Sequence, residues 1–274
     1  MCYTNIWGMA MNRNMCFNGS FYPNDKNEVL RYINHFNSVL DNAKVNFDFG
    51  FVPKAIISPH AGYVYSGFSA NVAYRALSSL HPKRVIVIGP SHRVYLESVS
   101  IALYDKYPTP LGELEVDMEY SLQLKEQFKL LTFVPEAHKE HSTETQMPFI
   151  KHYFPNTKVI EMVYGKIKSD ELSIIIDEIA KDKDNLIVIS TDLSHFYTQQ
   201  EANKLDNICL NAIANKNINM LDSGCEACGK IGIKAILKSA IKHNWNTKVL
   251  DYRTSFDASG DDTRVVGYTS CIIG

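Results

Sequence analysis

The sequence predicts a single α/β domain, and three observations support this prediction. The 274 residues fit one large domain, and no internal repeat or Pro/Gly/Ser-rich linker divides them. Short apolar runs alternate with longer segments of helical periodicity, which is the pattern of helices layered on a sheet. The apolar runs are nearly continuous, so we expect the strands to be buried on both faces.

The elements are predicted in chain order as follows. Residues 1–15, rich in Met and Asn, form an irregular extension before a domain over 16–274. A first helix covers about 26–40, with Asn24 and Asp25 as candidate caps. Four buried strands are predicted at Ala55–Ser58, Val85–Gly89, Val159–Val163 and Leu186–Ser190. Further helices are predicted at about 67–80, 117–129, 169–182, 199–216 and 229–243, and two late strands at Lys248–Thr254 and Arg264–Ile272.

The composition excludes several classes of protein. Hydrophobic residues make up 45% and charged residues 21%, with a net charge of −2, and no basic block indicates nucleic-acid binding. No apolar run approaches the ~20 residues of a membrane span, and the first residues do not resemble a signal peptide. We therefore expect a cytoplasmic protein with reduced thiols at its 6 cysteines. No G-x-G-x-x-G occurs, so no nucleotide cofactor is expected.

Three of the predicted strands end in loops that carry a histidine. His60 follows the first strand, His92 the second and His195 the fourth. Ligands of open α/β sheets bind beyond the carboxyl ends of the strands, where neighbouring parallel strands meet. The three imidazoles are therefore expected to share one site.

The segment 136–144 adds two histidines and three carboxylates within nine residues. Imidazole and carboxylate together suit a divalent metal such as iron or zinc, and a histidine beside an acid can also act as a general base. His141 and Glu144 are assigned to the site because an apolar run over 147–150 should anchor them. His138 is predicted to lie in a solvated polar loop.

Asp192 lies three residues before His195, directly after a buried strand. If a helical turn begins there, the carboxylate shares a face with the imidazole and can orient it. Alternatively, Ser190, Thr191 or Asp192 caps the following helix.

The segment Gly224–Ile231 matches two motifs imperfectly. It reads G-x-x-x-x-G-K, but Ile231 stands where a phosphate-binding loop needs Ser or Thr. Cys225 and Cys228 form a single C-x-x-C, which is weak support for structural zinc without a second pair. Two further alternatives remain for this C-x-x-C: a redox dithiol, or one thiolate that joins the histidines as a metal ligand. No H-E-x-x-H or G-x-S-x-G motif occurs.

From Phe17 to the C-terminus the chain resembles the Memo family, including its microbial members known as protein B of the AmmeMemoRadiSam system. The matching motifs, in chain order, are Phe17–Pro23, Pro59–Gly67, Gly89–His92, Thr109–Gly112, Glu140–Pro148, Ser190–His195 and Cys228–Gly229. The family is similar in fold to the class III extradiol dioxygenases, which use non-haem iron(II). The resemblance thus implies a central mixed, largely parallel sheet flanked by helices on both faces.

The resemblance also implies a set of site residues. The implied metal ligands for iron(II) or copper are His60, His92 and Cys228; the implied catalytic residues are His141, Asp192 and His195; the expected pocket residues are Tyr63, Arg93 and Glu144. Arg93 stands where the family carries a second histidine, and it adds a fixed positive charge beside the site.

Two classes of function are compatible with this resemblance. The first is a metal-dependent redox enzyme, dioxygenase-like, that acts on an unknown small molecule or peptide. The alternative is a non-catalytic module that binds peptides or phosphopeptides, or an accessory factor that acts with AMMECR-type and radical-SAM proteins.

Overall fold

The computed structural model describes residues 13–274. In this part of the chain the strands are β1 (Ala55–Ser58), β2 (Arg84–Pro90), β3 (Val99–Ile101), β4 (Lys106–Thr109), β5 (Gly112–Val116), β6 (Leu131–Thr132), β7 (Lys158–Tyr164), β8 (Asn185–Ser190), β9 (His195–Tyr197), β10 (Thr247–Thr254) and β11 (Val265–Ile273). The α-helices are α1 (Lys26–Asn42), α2 (Tyr63–Ala76), α3 (Met118–Gln127), α4 (His141–Glu144), α5 (Met147–Tyr153), α6 (Ser169–Ile179), α7 (Gln199–Ala214), α8 (Ile218–Leu221), α9 (Lys230–Lys242) and α10 (Phe256–Ser259).

The strands form one mixed sheet around a parallel centre. The main path runs β10-β11-β1-β8-β2-β7-β3-β6. Neighbours among β1, β8, β2 and β7 are parallel, whereas β11 runs antiparallel to β1 and β3 antiparallel to β7. This confirms the α/β class and the mixed, largely parallel sheet. The parallel centre also brings the carboxyl ends of β1, β8 and β2 together.

Both faces of the sheet are covered. In β2, Ile86 and Ile88 belong to one apolar cluster, whereas Val85 and Val87 belong to another. This alternation means that successive side chains enter cores on opposite faces. The first cluster includes apolar residues of α6, α7 and α9, and the second includes residues of α1, α2 and α5.

The predicted elements correspond closely to those of the structure. All six predicted strands and the six predicted helices are present. Asp25 caps α1, where its side chain accepts bonds from the backbone N–H groups of Asn27 and Glu28. Helix α2 begins at Tyr63 rather than near residue 67. The short strands β3 to β6 and β9 have two to five residues each and were not predicted, because such short runs carry too few positions to show a period.

The end of the predicted N-terminal extension belongs to the packed protein. Residues 1–12 of that extension lie outside the described part of the chain. Arg13 is buried, and its Nη1 lies 2.7 Å from Oε2 of Glu144. Arg13 has no regular secondary structure, but it is packed into the protein and held by a carboxylate far along the sequence.

The expectation of reduced thiols is wrong for two cysteines. Cys209 of α7 and Cys225 are joined by a disulfide, with Cα atoms 4.9 Å apart. This spacing is typical of a disulfide. The partner of Cys225 is thus Cys209 and not Cys228 of the same C-x-x-C. Cys16, Cys228 and Cys271 are free.

Among residues 13–274, none of the helices is long and apolar enough to cross a membrane.

Candidate metal centre

Three loops bring donor atoms together at the carboxyl edge of the sheet. His60 follows β1, His92 follows β2, and Cys228 precedes α9. One ligand atom from each of these residues lies within 4.8 Å of the others. The rings of His60 and His92 are 5.3 Å apart between centroids. The structure therefore brings together the three residues that the Memo resemblance implies as metal ligands.

Hydrogen bonding determines which nitrogen of His60 is free. Its Nδ1 lies 2.9 Å from Oγ of Ser190, whose single proton is donated to the carbonyl of Ser142. Ser190 must therefore accept, so Nδ1 of His60 carries the proton. The other nitrogen, Nε2, lies 3.4 Å from Sγ of Cys228. Burial lowers the pKa of His60 to about 4, so the ring is neutral and Nε2 offers a lone pair.

Glu140 holds His92 at two points. Its Oε1 lies 3.0 Å from Nδ1 of the ring, and its Oε2 accepts a 2.7 Å bond from the backbone N–H of the same residue. Burial alone would raise the pKa of Glu140, but the contacts with His141 and His92 outweigh it and bring the pKa below its usual value. Glu140 is thus an ionised acceptor, and Nδ1 of His92 is the donor. From the sequence, Glu140 was expected only as one of the three acids in the segment 136–144, without a role of its own.

His141 completes a triangle of imidazoles. Its ring centroid lies 4.5 Å from that of His92 and 5.3 Å from that of His60. Its Nδ1 is 2.9 Å from Oε1 of Glu140, yet this nitrogen is buried without an aligned hydrogen-bond partner. The geometry is therefore not that of a formed hydrogen bond. His141 is placed where a catalytic acid or base would be needed, and that role stays a prediction.

Cys228 is held by the backbone that follows β8. Its N–H donates to the carbonyl of Asp192, and the N–H of Asp192 points to Sγ at 3.3 Å. Burial, with the nearby charge of Asp192, raises the pKa of the Cys228 thiol to about 12. A Cβ at Gly229 would lie 2.5 Å from Cβ of Thr191, so a side chain at this position would push Cys228 away from β8.

Asp192 does not orient His195, and that prediction is wrong. The Oδ1 atom of Asp192 accepts a 2.7 Å bond from the backbone N–H of His60, and its Oδ2 lies 3.9 Å from Nε2 of that ring. No helix begins after β8, because His195 enters β9 and pairs with Val266 of β11. The alternative cap is also wrong, since the next helix, α7, is capped by Thr198. Within residues 13–274, no hydrogen bond or ring contact links His195 to the imidazole cluster.

Two residues expected to line the pocket have other contacts. The carboxylate of Glu144 accepts bonds from Arg13, from the backbone N–H groups of Cys16 and Phe17, and from the hydroxyl of Tyr22. It therefore fastens the N-terminal segment to α4 rather than facing the cluster. Similarly, Tyr63 is 2% exposed, and its hydroxyl donates to the carbonyl of Thr145. The ring of Tyr63 is part of the core at the start of α2.

Arg93 lies beside the cluster at an open cavity. Its guanidinium is 4.8 Å above the ring of Phe17. This ring and that of Phe21 pack against His141, with centroids at 5.6 and 4.6 Å. The cavity has a volume of about 520 Å³ and is lined in part by Cys16, Phe17, Phe21, Arg93, Glu136 and Lys139. Such a volume fits a small molecule.

His138 is buried, so its prediction as a solvated loop residue is wrong. Its Nδ1 lies 2.9 Å from Oε2 of Glu161, and its Nε2 lies 2.8 Å from Oγ of Ser100. This order of groups resembles a Ser–His–acid triad. However, Ser100 is fully buried and also accepts from the backbone N–H of Val134. The arrangement stabilises the fold, and its hydroxyl is closed to a substrate.

Comparison with known proteins identifies the family. The sequence model described as Memo-like protein matches residues 13–272 of this chain. The chain belongs to the Memo family. Among Memo relatives, a "MEMO1 family protein" of Aquifex aeolicus is 32% identical over 269 residues, which cover 93% of this chain and 96% of the relative. One from Sulfolobus acidocaldarius is 35% identical over 231 residues, covering 80% of this chain and 81% of the relative.

A solved structure is similar in fold to this chain at low sequence identity. It is that of the uncharacterized protein JW3007 from Escherichia coli K12, with a TM-score of 0.56 and 11% identity. The match covers 81% of this chain and 100% of that protein. At this identity the likeness concerns the fold alone.

Proposed function

We propose that this protein binds a single iron(II) or copper ion through His60, His92 and Cys228 and acts in oxidation–reduction. One observation carries the proposal: three donors from three separate loops converge at the carboxyl edge of the parallel strands, with ligand atoms within 4.8 Å of one another. Ligand sites of open α/β sheets form at this edge.

The donor set fits such an ion. Each Nδ1 of His60 and His92 is occupied by an acceptor, which leaves Nε2 as the free nitrogen of each ring. A protein that only packed these rings would not need their lone pairs to converge on a thiol. Imidazole with thiolate suits iron and copper, and metal binding would release the proton of Cys228. The bound ion would supply electron transfer or oxygen activation.

The remaining groups would serve a substrate. The cavity lined by Phe17 and Phe21, whose rings contact His141, has two cationic side chains, Arg93 and Lys139, and one acid, Glu136. Its net positive charge favours an anionic ligand, which the rings of Phe17 and Phe21 would contact on the path to His141. His141 is the imidazole of the cluster that would hold or move a proton, because no aligned hydrogen bond occupies its Nδ1.

Metal analysis tests the proposal. The protein is purified without oxygen or an affinity tag that binds metal, reconstituted with iron(II) or copper(I), and its bound iron, copper and zinc are measured. We expect about one equivalent in the parent protein and a loss in His60→Ala and in Cys228→Ala. No metal above background in the parent would refute the redox proposal and favour a non-catalytic binding or accessory role.

Two matched controls accompany these variants. Cys271 is also a free, buried thiol whose pKa burial raises to about 12, but it lies in the apolar core. His243 also contacts a carboxylate, with Nε2 at 3.0 Å from Asp177, but on the surface. Both Cys271→Ala and His243→Ala should keep the full equivalent of metal.

A further inference from the structure

Glu140 contacts the cluster without belonging to the implied ligand set. It is fully buried and precedes α4 as its N-terminal cap. Its Oε1 accepts from Nδ1 of His92 and from the backbone N–H of Ser142, at 3.0 and 3.1 Å. Its Oε2 accepts from the backbone N–H of His92 at 2.7 Å.

We propose that Glu140 is a positioning residue that fixes the tautomer and the orientation of His92, so that Nε2 is the free nitrogen presented to the cluster. A carboxylate only accepts hydrogen bonds, so a ring nitrogen facing it must carry the proton. The second bond to the backbone of His92 limits how the ring and its loop can rotate relative to Glu140. The inference deepens the proposed function, and its metal-affinity measurement rests on that function.

An alternative role for Glu140 is that of a ligand itself, together with His92 and His141. Ligand atoms of these three residues also lie within 4.8 Å of one another. Both oxygens of Glu140, however, already accept bonds from N–H donors. An ion bound there would have to compete with these N–H donors for the oxygens of Glu140. The contacts therefore favour a role in which Glu140 orients His92 through its Nδ1, as is common for histidines that bind metals through the other ring nitrogen.

Glu140→Gln tests the proposal with little change in shape. The amide replaces one acceptor oxygen by an NH₂ donor. If the NH₂ takes the place of Oε1, it faces Nδ1 of His92 and forces the proton to Nε2. If it takes the place of Oε2, it opposes the backbone N–H of His92 and displaces the loop. Either orientation disturbs the ring that the carboxylate holds.

The first measurement needs no metal. Long-range ¹H–¹⁵N correlation spectra of metal-free protein labelled at its 9 histidines report the tautomer of each ring, at about pH 8.5, where ordinary imidazoles are neutral. His92→Asn identifies the signal of His92. We expect the Nδ1–H form in the parent and a shift toward the Nε2–H form, or a mixture, in Glu140→Gln. Glu140→Leu removes both acceptor oxygens whichever way the side chain lies, so an unchanged tautomer of His92 in both Glu140→Gln and Glu140→Leu would overturn the proposal.

The second measurement is metal affinity by chelator competition. We expect Glu140→Gln to weaken binding by about 10- to 100-fold while about one equivalent still binds at saturation. Unchanged affinity would overturn the proposal. A loss of all binding with an unchanged tautomer would also overturn it and make Glu140 a ligand. If the parent protein binds no metal, the proposed function fails, but the tautomer measurement still decides the role of Glu140.

Glu161→Gln is the matched control. Glu161 is equally buried and contacts Nδ1 of a histidine, His138, at 2.9 Å, outside the cluster. Its amide variant should lower stability as Glu140→Gln does. It should leave the tautomer of His92 as in the parent. Because Glu161 also contacts Thr143 of α4, it should weaken metal binding, but by much less than Glu140→Gln does, which separates positioning from a general loss of stability.

Discussion

Replacing Arg13 by methionine should lower the free energy of unfolding by about 3 kcal/mol. The guanidinium is almost completely buried. Its Nη1 lies 2.7 Å from Glu144, its Nη2 donates to the carbonyl of His138, and its Cζ lies 4.0 Å from the ring centre of Tyr107. Its Nε is 3.6 Å from Glu161. Arg13 is thus the cation between two buried carboxylates.

The magnitude follows from what the substitution leaves behind. Removing one partner of a buried ion pair costs about 3–5 kcal/mol, because the other charge stays buried without compensation. The lower end applies here, since Glu144 keeps its bonds from the backbone N–H groups of Cys16 and Phe17 and from Tyr22. Methionine is unbranched and can fill much of the volume that the arginine stem occupies.

Urea unfolding of the parent and Arg13→Met measures the difference. The control is Arg31→Met, because Arg31 pairs with Glu28 at 3.0 Å on the surface, with side chains 74% and 50% exposed. Exposed pairs contribute only about 0–1 kcal/mol. The double variant Arg13→Met/Glu144→Gln should recover part of the loss, because it removes one uncompensated charge. If Arg13→Met cost no more than Arg31→Met, the ion-pair network would not stabilise the fold as argued.

Three further predictions concern other parts of the fold. Alkylation of denatured, unreduced protein should leave Cys209 and Cys225 unlabelled, and full labelling would exclude the disulfide. Replacing both cysteines by serine should lower the free energy of unfolding by about 3 kcal/mol for a loop of this length. The pKa of Glu161 is below 4.5 in the folded protein, because its cationic and hydrogen-bonding neighbours outweigh burial. The contribution of Glu161 to stability is therefore present above about pH 4.5 and lost as the pH falls through the folded pKa. In that pH range, the free energy of unfolding of Glu161→Gln should depend less on pH than that of the parent. Gly229→Ala should cost about 1–3 kcal/mol in unfolding free energy and weaken metal binding, because its Cβ would overlap Thr191; parent-like values for both would show that the loop adapts.

The sequence predicted those features of the protein that depend on local pattern. Strand β2 was predicted from its nearly continuous apolar run, and the structure buries this strand on both faces. His60 and His92 were predicted to meet because parallel strands end at one edge of the sheet. The strands β4 and β5 were missed because each is too short to show a period, although they pair with each other. Strands β3 and β6 are also short, and β3 depends on a partner, β7, that is distant in sequence. The same reason explains the missed disulfide, whose cysteines are 16 positions apart on different elements.

The contacts that orient the site could not be read from local pattern. Nδ1 of His60 is held by Ser190, 130 positions away, and Nδ1 of His92 by Glu140, 48 positions away. Asp192 was expected to serve its neighbour in sequence, His195, yet its carboxylate bonds to the backbone of His60. Strand-end position therefore predicted that His60 and His92 meet, but it wrongly added His195 to the cluster, where the structure places His141 instead. The path of the chain between strands determines which nitrogen each imidazole presents.

Helix α4 connects the N-terminal segment to the candidate metal centre. Glu140 caps this short helix and holds His92, whereas Glu144 ends it and holds Arg13. Loss of the Arg13 contact should therefore loosen the element from which Glu140 reaches His92. We expect Arg13→Met to weaken metal binding, but by less than Glu140→Gln, because the carboxylate of Glu140 is still present. Unchanged metal affinity and an unchanged tautomer of His92 in Arg13→Met would confine the role of Arg13 to folding stability.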